Sequence, residues 1–109
     1  MKLVVRSAAK LEIVAAAEFY EKKRLGLGRE FFREVDVIFS VFRRQPYIGQ
    51  AIEGDLGLRG FPLKRFPYLV IYRLKNDEIK VLAVTHQHRQ PENWRYRVQE
   101  EPAIYRLAA

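Results

Sequence analysis

The sequence predicts an α+β domain in which an N-terminal strand is followed by a two-helix hairpin that packs on a small, mainly antiparallel sheet. Residues 2–6 form a short apolar segment, two segments with helical spacing follow, and three β-type segments come after them. Helices and strands that occupy separate parts of a chain favour segregated layers. We expect residues 1–98 to form this single domain and residues 99–109, which carry no clear pattern, to form a tail.

The first helix is predicted over residues 8–25, which are rich in strong helix formers. Ser7 is a favourable N-cap residue for it. Leu11, Ala15 and Phe19 recur every four residues and are expected to form its buried face.

The second helix is predicted over residues 29–44, after a break at residues 26–28 that contains two glycines. Pro46 ends the apolar pattern, and residues 46–58 are expected to form a glycine-rich loop. The residues predicted to face the core are Phe31, Phe32, Val35, Ile38, Phe39 and Phe42.

An antiparallel meander of three strands is predicted over residues 58–63, 68–74 and 79–86. Pro62 cannot donate a ladder hydrogen bond, which places the first of these strands at an edge or at a bulge. Pro91 is expected to begin a short helix that carries Trp94.

Composition narrows the classes of function. The chain has no Cys and only two His, so neither a disulfide framework nor a protein-made metal site is expected, and no cofactor is implied. The longest apolar run is far shorter than a membrane span, and no signal peptide is recognisable, so we expect a cytoplasmic protein. Lys and Arg number 20 against 13 Asp and Glu, and this excess favours nucleic acid, the ribosome or an acidic protein as partners.

Two motifs carry a family resemblance. The segments RFPYLVIYR at residues 65–73 and VLAVTHQHRQPENW at residues 81–94 resemble the paired signature of RelE/ParE toxins. The resemblance covers residues 3–97 and extends to the aromatic pair Phe19 and Tyr20. It implies the toxin of a type II toxin–antitoxin system, a plasmid-stabilising growth inhibitor that a cognate antitoxin neutralises and that reaches operator DNA through the antitoxin complex.

One class of this family cuts messenger RNA on the ribosome, which requires proton transfer and cations around the scissile phosphate. In that interpretation His86, His88 or Tyr96 handles protons. The cations that hold the phosphate come from Arg59, Lys64, Arg65 and Arg73. The structural alternative is that Arg65 and Arg73 are solvated and that His86 caps the sheet by hydrogen bonding to its neighbours. The uninterrupted apolar run at residues 68–72 departs from the nuclease pattern.

The other class inhibits DNA gyrase by binding, and the FPY motif together with the HxxRxPxxW ending resembles this ParE branch more closely. Trp94 and Arg89 are then exposed anchors, because Trp and Arg are enriched in binding hot spots. The alternatives are that Trp94 packs onto the sheet and that Arg89 is a structural ion-pair partner. The full set of predicted target-binding residues is Arg59, Lys64, Arg65, Arg89 and Trp94. An inactive relic and a basic nucleic-acid-binding module that is not a toxin are the remaining alternatives.

Overall fold

The computed structural model describes residues 1–52, 54, 57–88, 91, 94, 95 and 97. Its elements follow the order strand, two helices and four strands. They are β1 (Lys2–Val5), α1 (Ser7–Lys23), α2 (Leu27–Arg44), β2 (Gln50–Ala51), β3 (Leu58–Pro62), β4 (Tyr68–Lys75) and β5 (Glu78–His86). The predicted α+β architecture is confirmed. The assignment of residues 1–98 to one domain stays a prediction, and the predicted tail, residues 99–109, lies outside the described residues.

The five strands form one sheet in the order β1-β5-β4-β3-β2. β1 pairs in parallel with β5, and all other neighbours are antiparallel. The predicted meander is therefore confirmed, but the loop predicted between residues 46 and 58 contains the short edge strand β2. Pro62 ends β3 beyond the two residues that β2 pairs with, so its missing N–H removes no bond to β2. The register shift lies between β4 and β5, at Ile71 and Tyr72.

The buried face of α1 differs from the predicted one. Its buried residues are Ala9, Ile13, Ala16 and Ala17. Leu11 is 71% exposed and Phe19 is 52% exposed, so the face predicted from these two residues and Ala15 is wrong. Residues 13–17 are apolar on every side of the helix, so four-residue spacing alone did not identify the core face.

Small residues on this face allow the two helices to approach closely. A Cβ atom built on Gly28 would lie 2.6 Å from the carbonyl oxygen of Ala17. Gly26 has φ +87°, and the Glu21 carboxylate accepts hydrogen bonds from the amides of Gly26 and Gly28. The break between the helices covers residues 24–26 and not the predicted 26–28, since α1 ends at Lys23 and α2 begins at Leu27.

The start of α1 also differs. Ser7 is the first helical residue and not the N-cap; Arg6 occupies the cap position without a side-chain cap hydrogen bond. In α2 the predicted core residues are buried except Phe32, which is 43% exposed and lies on the outer side of the hairpin.

The sheet has a hydrophobic cluster on each face. The helix-facing cluster joins both helices to alternate residues of β4, among them Val70 and Tyr72. The cluster on the other face contains Leu58, Ile71, Leu82, Ala83 and Trp94. Alternate β4 residues therefore point to opposite sides of the sheet.

Two further findings concern membrane spans and metal binding. No helix in the described part of the chain is long and apolar enough to cross a membrane. The described residues hold no group of three or more metal-ligating side chains that could bind a metal ion.

Candidate functional site

The two histidines lie together where β5 ends. Their ring centroids are 5.2 Å apart, and the His88 amide donates a hydrogen bond of 3.2 Å to Nδ1 of His86. The neutral His86 ring therefore carries its proton on Nε2. This bond is the capping interaction expected as the structural alternative for His86.

Two tyrosines extend the histidine pair into what we call the α1 groove. This groove has a volume of about 690 Å³ and is lined in part by Leu11, Phe19, Tyr20, Tyr68, His86 and His88. Burial raises the pKa of Tyr20, and the neighbouring Tyr68 raises it further. The groove thus combines exposed apolar side chains with groups able to transfer protons.

Arg73 is not part of this group. In the β4–β5 ladder Tyr68 is the partner of His86, whereas Arg73 is the partner of Lys80. Five residues of extended chain separate Tyr68 from Arg73, a distance of about 17 Å. Side chains along a strand alternate between the two faces of the sheet, and Tyr68 and Tyr72 face the helices. Arg73 lies an odd number of residues from both, so its side chain is on the face away from the helices. Arg73 and the imidazoles therefore cannot contact one phosphate.

Lys64 and Arg65 lie in the exposed turn between β3 and β4. The Glu34 carboxylate of α2 accepts hydrogen bonds from both of their backbone amides. The Arg65 guanidinium pairs with Glu30. This pairing is the main reason why the pKa of Glu30 is below its ordinary value, and a hydrogen bond from Arg24 lowers it further.

The turn forms one wall of a second cavity, which we call the basic groove. It has a volume of about 960 Å³ and runs between α2 and the end of β3. Its lining includes Arg33, Val37, Ile48, Phe61, Lys64 and Arg65. Four cationic side chains and two carboxylates line it, and both carboxylates bind groups of the protein itself.

Arg59 supports the loop that carries Ile48, one of the residues that line the basic groove. Its guanidinium donates to the carbonyl oxygens of Tyr47, at 3.1 Å, and Gly49, at 2.6 Å. The Tyr72 hydroxyl holds the same loop, because it accepts from the Gly49 amide and donates to the Pro46 carbonyl. Arg59 and Tyr72 together position Ile48 at the groove.

Trp94 was expected to be an exposed anchor, and that expectation is wrong. It is 5% exposed and packs on the second face of the sheet. The Trp94 and Arg95 amides both donate to the Pro91 carbonyl, which agrees with the predicted helical turn. Nearby, Arg97 pairs with Glu12 of α1. The other two predicted site residues, Arg89 and Tyr96, lie outside the described residues.

Comparison with known proteins places the chain in a family. Residues 3–91 match the family described as the ParE toxin of the type II toxin–antitoxin system parDE. The chain belongs to the ParE toxin family. A ParE-family toxin is by definition one half of a toxin–antitoxin pair, so the chain is the toxin component and has a cognate antitoxin as its partner.

Solved structures support the fold of this ParE-family toxin. A chain from the chromosomal ParDE TA system from P. aeruginosa matches it with a TM-score of 0.58 at 22% identity. The match covers 79% of this chain and 95% of that chain. No curated protein matches the chain.

Sequence reasoning missed several residues of the basic groove in this ParE-family toxin. Arg33, Val37 and Ile48 were not predicted as site residues, nor was Glu34. The sequence did contain an indication for Val37. It is an apolar residue outside the core face of the helix, which Phe31, Val35 and Ile38 define. Its side chain is 61% exposed.

Proposed function

We propose that this ParE-family toxin arrests growth by binding DNA gyrase and not by cutting RNA. The observation that carries the proposal is the separation of Arg73 from His86 and His88. Cleavage of RNA requires proton-transfer groups within hydrogen-bonding reach of the reacting atoms and cations around the same phosphate. A binding inhibitor needs only an accessible surface of suitable chemistry.

The basic groove supplies the surface that we assign to the target. Lys64 and Arg65 are exposed in the turn that Glu34 holds in place. Of the described target-binding residues proposed from sequence, these two remain exposed, and the Arg65 guanidinium pairs with Glu30. Trp94 is buried and Arg59 is bound to the loop of Tyr47 and Gly49, so we assign both to supporting roles.

Purified components test this proposal. The toxin is titrated into a DNA supercoiling reaction with purified gyrase, and in parallel into a reaction containing ribosomes with bound messenger RNA. We expect inhibition of supercoiling and intact RNA. Cleaved RNA with unaffected supercoiling would reject the proposal.

A matched pair of variants tests the surface in the same supercoiling assay. Lys64→Ala should raise the toxin concentration needed for half-inhibition by several-fold, because it removes an exposed cation from the groove. Lys10→Ala removes an exposed cation from α1, outside the groove, and should leave this concentration unchanged. Equal effects of the two substitutions would indicate only a general effect of net charge.

Ribosome-dependent cleavage of messenger RNA is the second candidate. The α1 groove favours it, because two imidazoles and two phenols line one cavity. Histidine suits either proton role since its unperturbed pKa is about 6.5. In this case the phosphate would need a cation other than Arg73, so the RNA assay above is also the test of this candidate.

The cellular setting belongs to the same proposal. We place the toxin in the cytoplasm, where gyrase and the antitoxin act, and expect growth inhibition to stabilise a plasmid or chromosomal locus. Contact with operator DNA would come through the antitoxin complex. Retention of operator fragments by the complex, but not by toxin alone, is the expected result in a gel-shift experiment.

A further inference from the structure

The two helices form a groove on the outer side of the hairpin that the proposed function does not use. We call it the hairpin groove; it has a volume of about 740 Å³, and its lining includes Val14, Glu18, Leu25, Arg29 and Phe32. Its described lining residues all belong to α1, α2 or the turn between them. We propose that a second copy of this toxin packs on the hairpin groove, so that the toxin without its antitoxin forms a two-fold symmetric dimer.

Three large apolar side chains in the hairpin groove are open to solvent. Leu25 is 89% exposed, Val14 is 44% exposed and Phe32 is 43% exposed. Removal of such surface from water is the main driving force of most protein association. The three residues therefore give the groove a reason to be covered, and the charges around them indicate by what.

The two rims of the hairpin groove carry opposite charges. Glu18 lies on α1 and Arg29 on α2; both are exposed, and neither makes an ion pair with a residue in the described part of the chain. The pKa of the third charged group, Glu21, is lowered first by hydrogen bonds from the amides of Gly26 and Gly28, and less by Arg29. A uniformly acidic or basic partner would meet a like charge on one rim. A second copy instead offers a carboxylate and a guanidinium of its own.

A two-fold axis parallel to the helices brings the apolar groups of two copies together. The short turn makes α1 and α2 antiparallel, with Gly28 beside the Ala17 carbonyl. At the rise of an α-helix, Val14 lies about 4.5 Å from this level and Phe32 about 6 Å, in the same direction along the hairpin. The axis places α1 of each copy over α2 of the other. Val14 of one copy therefore meets Phe32 of the second copy.

The same axis pairs the charged rims. Glu18 and Arg29 lie one residue to either side of the level of Gly28, so they are offset by about 3 Å along the hairpin. Rotation therefore places Glu18 of each copy beside Arg29 of the other. An interface of this symmetry contains each contact twice. Leu25 lies in the turn between the helices, where it faces the same residue of the second copy.

Sedimentation equilibrium of the purified toxin, with neither antitoxin nor target present, tests the dimer. We expect the mass to rise reversibly from that of a monomer towards that of a dimer between about 1 μM and about 500 μM. The net charge of +7 makes two copies repel each other, so the salt is kept at about 0.15 M, where the screening length is about 8 Å. A monomer mass at every concentration would overturn the proposal.

Two phenylalanines of similar exposure provide a matched test of the surface. Phe32→Ser should raise the dissociation constant of the dimer by about tenfold or more, because it removes apolar surface that the second copy covers. Phe19 is 52% exposed but lines the α1 groove. Phe19→Ser should therefore change the dissociation constant by less than about threefold. Equal effects of the two substitutions would place the dimer contact elsewhere and overturn the proposal.

Charge reversal tests the contact between Glu18 and Arg29 of different copies. Glu18→Arg and Arg29→Glu should each weaken the dimer by about tenfold or more, because both attractions become repulsions. An equimolar mixture of the two variants should dimerise nearly as tightly as wild type, since one variant then presents two cations to the two carboxylates of the other. Unchanged thermal unfolding would show that each variant folds. A mixture as weak as the separate variants would overturn the proposal.

Discussion

Arg73 and His86 lie on opposite faces of the sheet and near opposite ends of the β4–β5 ladder. The sheet thus separates Arg73 from the histidines that the sequence suggested as its catalytic partners. Because Arg73 and the histidines cannot contact one phosphate, cleavage of RNA would need another cation at the histidines, and we favour inhibition by binding.

The first prediction concerns the histidines. The double substitution His86→Ala/His88→Ala should leave growth arrest within about threefold of wild type, since binding needs no proton transfer. The measurement is the inducer concentration that halves the growth rate, at matched toxin levels. Loss of toxicity in a variant that still folds and still binds antitoxin would support the nuclease class.

The second prediction concerns Tyr72, whose hydroxyl joins Gly49 and Pro46. Tyr72→Phe should lower the free energy of unfolding by about 1–3 kcal/mol, because a buried amide and a carbonyl lose their partner. Urea unfolding measures this change. Tyr47→Phe is the control, since Tyr47 is exposed and its hydroxyl makes no hydrogen bond to a described residue. If Tyr72→Phe lowers the free energy of unfolding by less than Tyr47→Phe does, water has replaced the Tyr72 hydroxyl.

The third prediction concerns the contact between the helices at Gly28. Gly28→Ala should lower the free energy of unfolding by about 1–3 kcal/mol, although alanine is the better helix former, because its Cβ would clash with the Ala17 carbonyl. Gly60→Ala is a useful comparison, since the nearest atom to its Cβ is a side-chain methyl at 3.5 Å. A stabilised Gly28→Ala variant would contradict the close approach of α1 and α2.

Strands were easier to predict than the exposed surface. β4 and β5 combine β-branched apolar runs with turn residues at their ends, and these local signals fix a strand. In α1 the residue spacing predicted the wrong buried face, because Leu11 and Phe19 continue an apolar pattern but lie outside the core. The basic groove depends on Glu34 reaching the amide of Lys64, a contact across 30 residues that no local pattern encodes.

The fourth prediction concerns pH and the ion pair of Glu30 with Arg65. The pKa of Glu30 is lowered from 4.5, first by the Arg65 hydrogen bond and then by Arg24. A lowered folded-state pKa stabilises the protein above the unfolded value and ceases to do so as the pH falls through the folded value. Glu30→Gln should therefore be less stable than wild type near neutral pH, and the difference should shrink below about pH 4.5.

Urea unfolding of wild type and Glu30→Gln from about pH 7 to about pH 3 measures this difference. Glu18→Gln, at an exposed position of α1, controls for the loss of one negative charge. A stability difference that stays constant across the range would show that the Glu30 carboxylate does not stabilise the β3–β4 turn through its charge.

The central claim is that the toxin disables gyrase, and the order in which synthesis fails tests it most directly. Growing cells are pulse-labelled within minutes of inducing the toxin alone, and DNA and protein synthesis are followed side by side. We predict that DNA synthesis fails first, while protein synthesis continues. Failure of protein synthesis first, with DNA synthesis intact, would contradict the account and make His86 and His88 the residues to study.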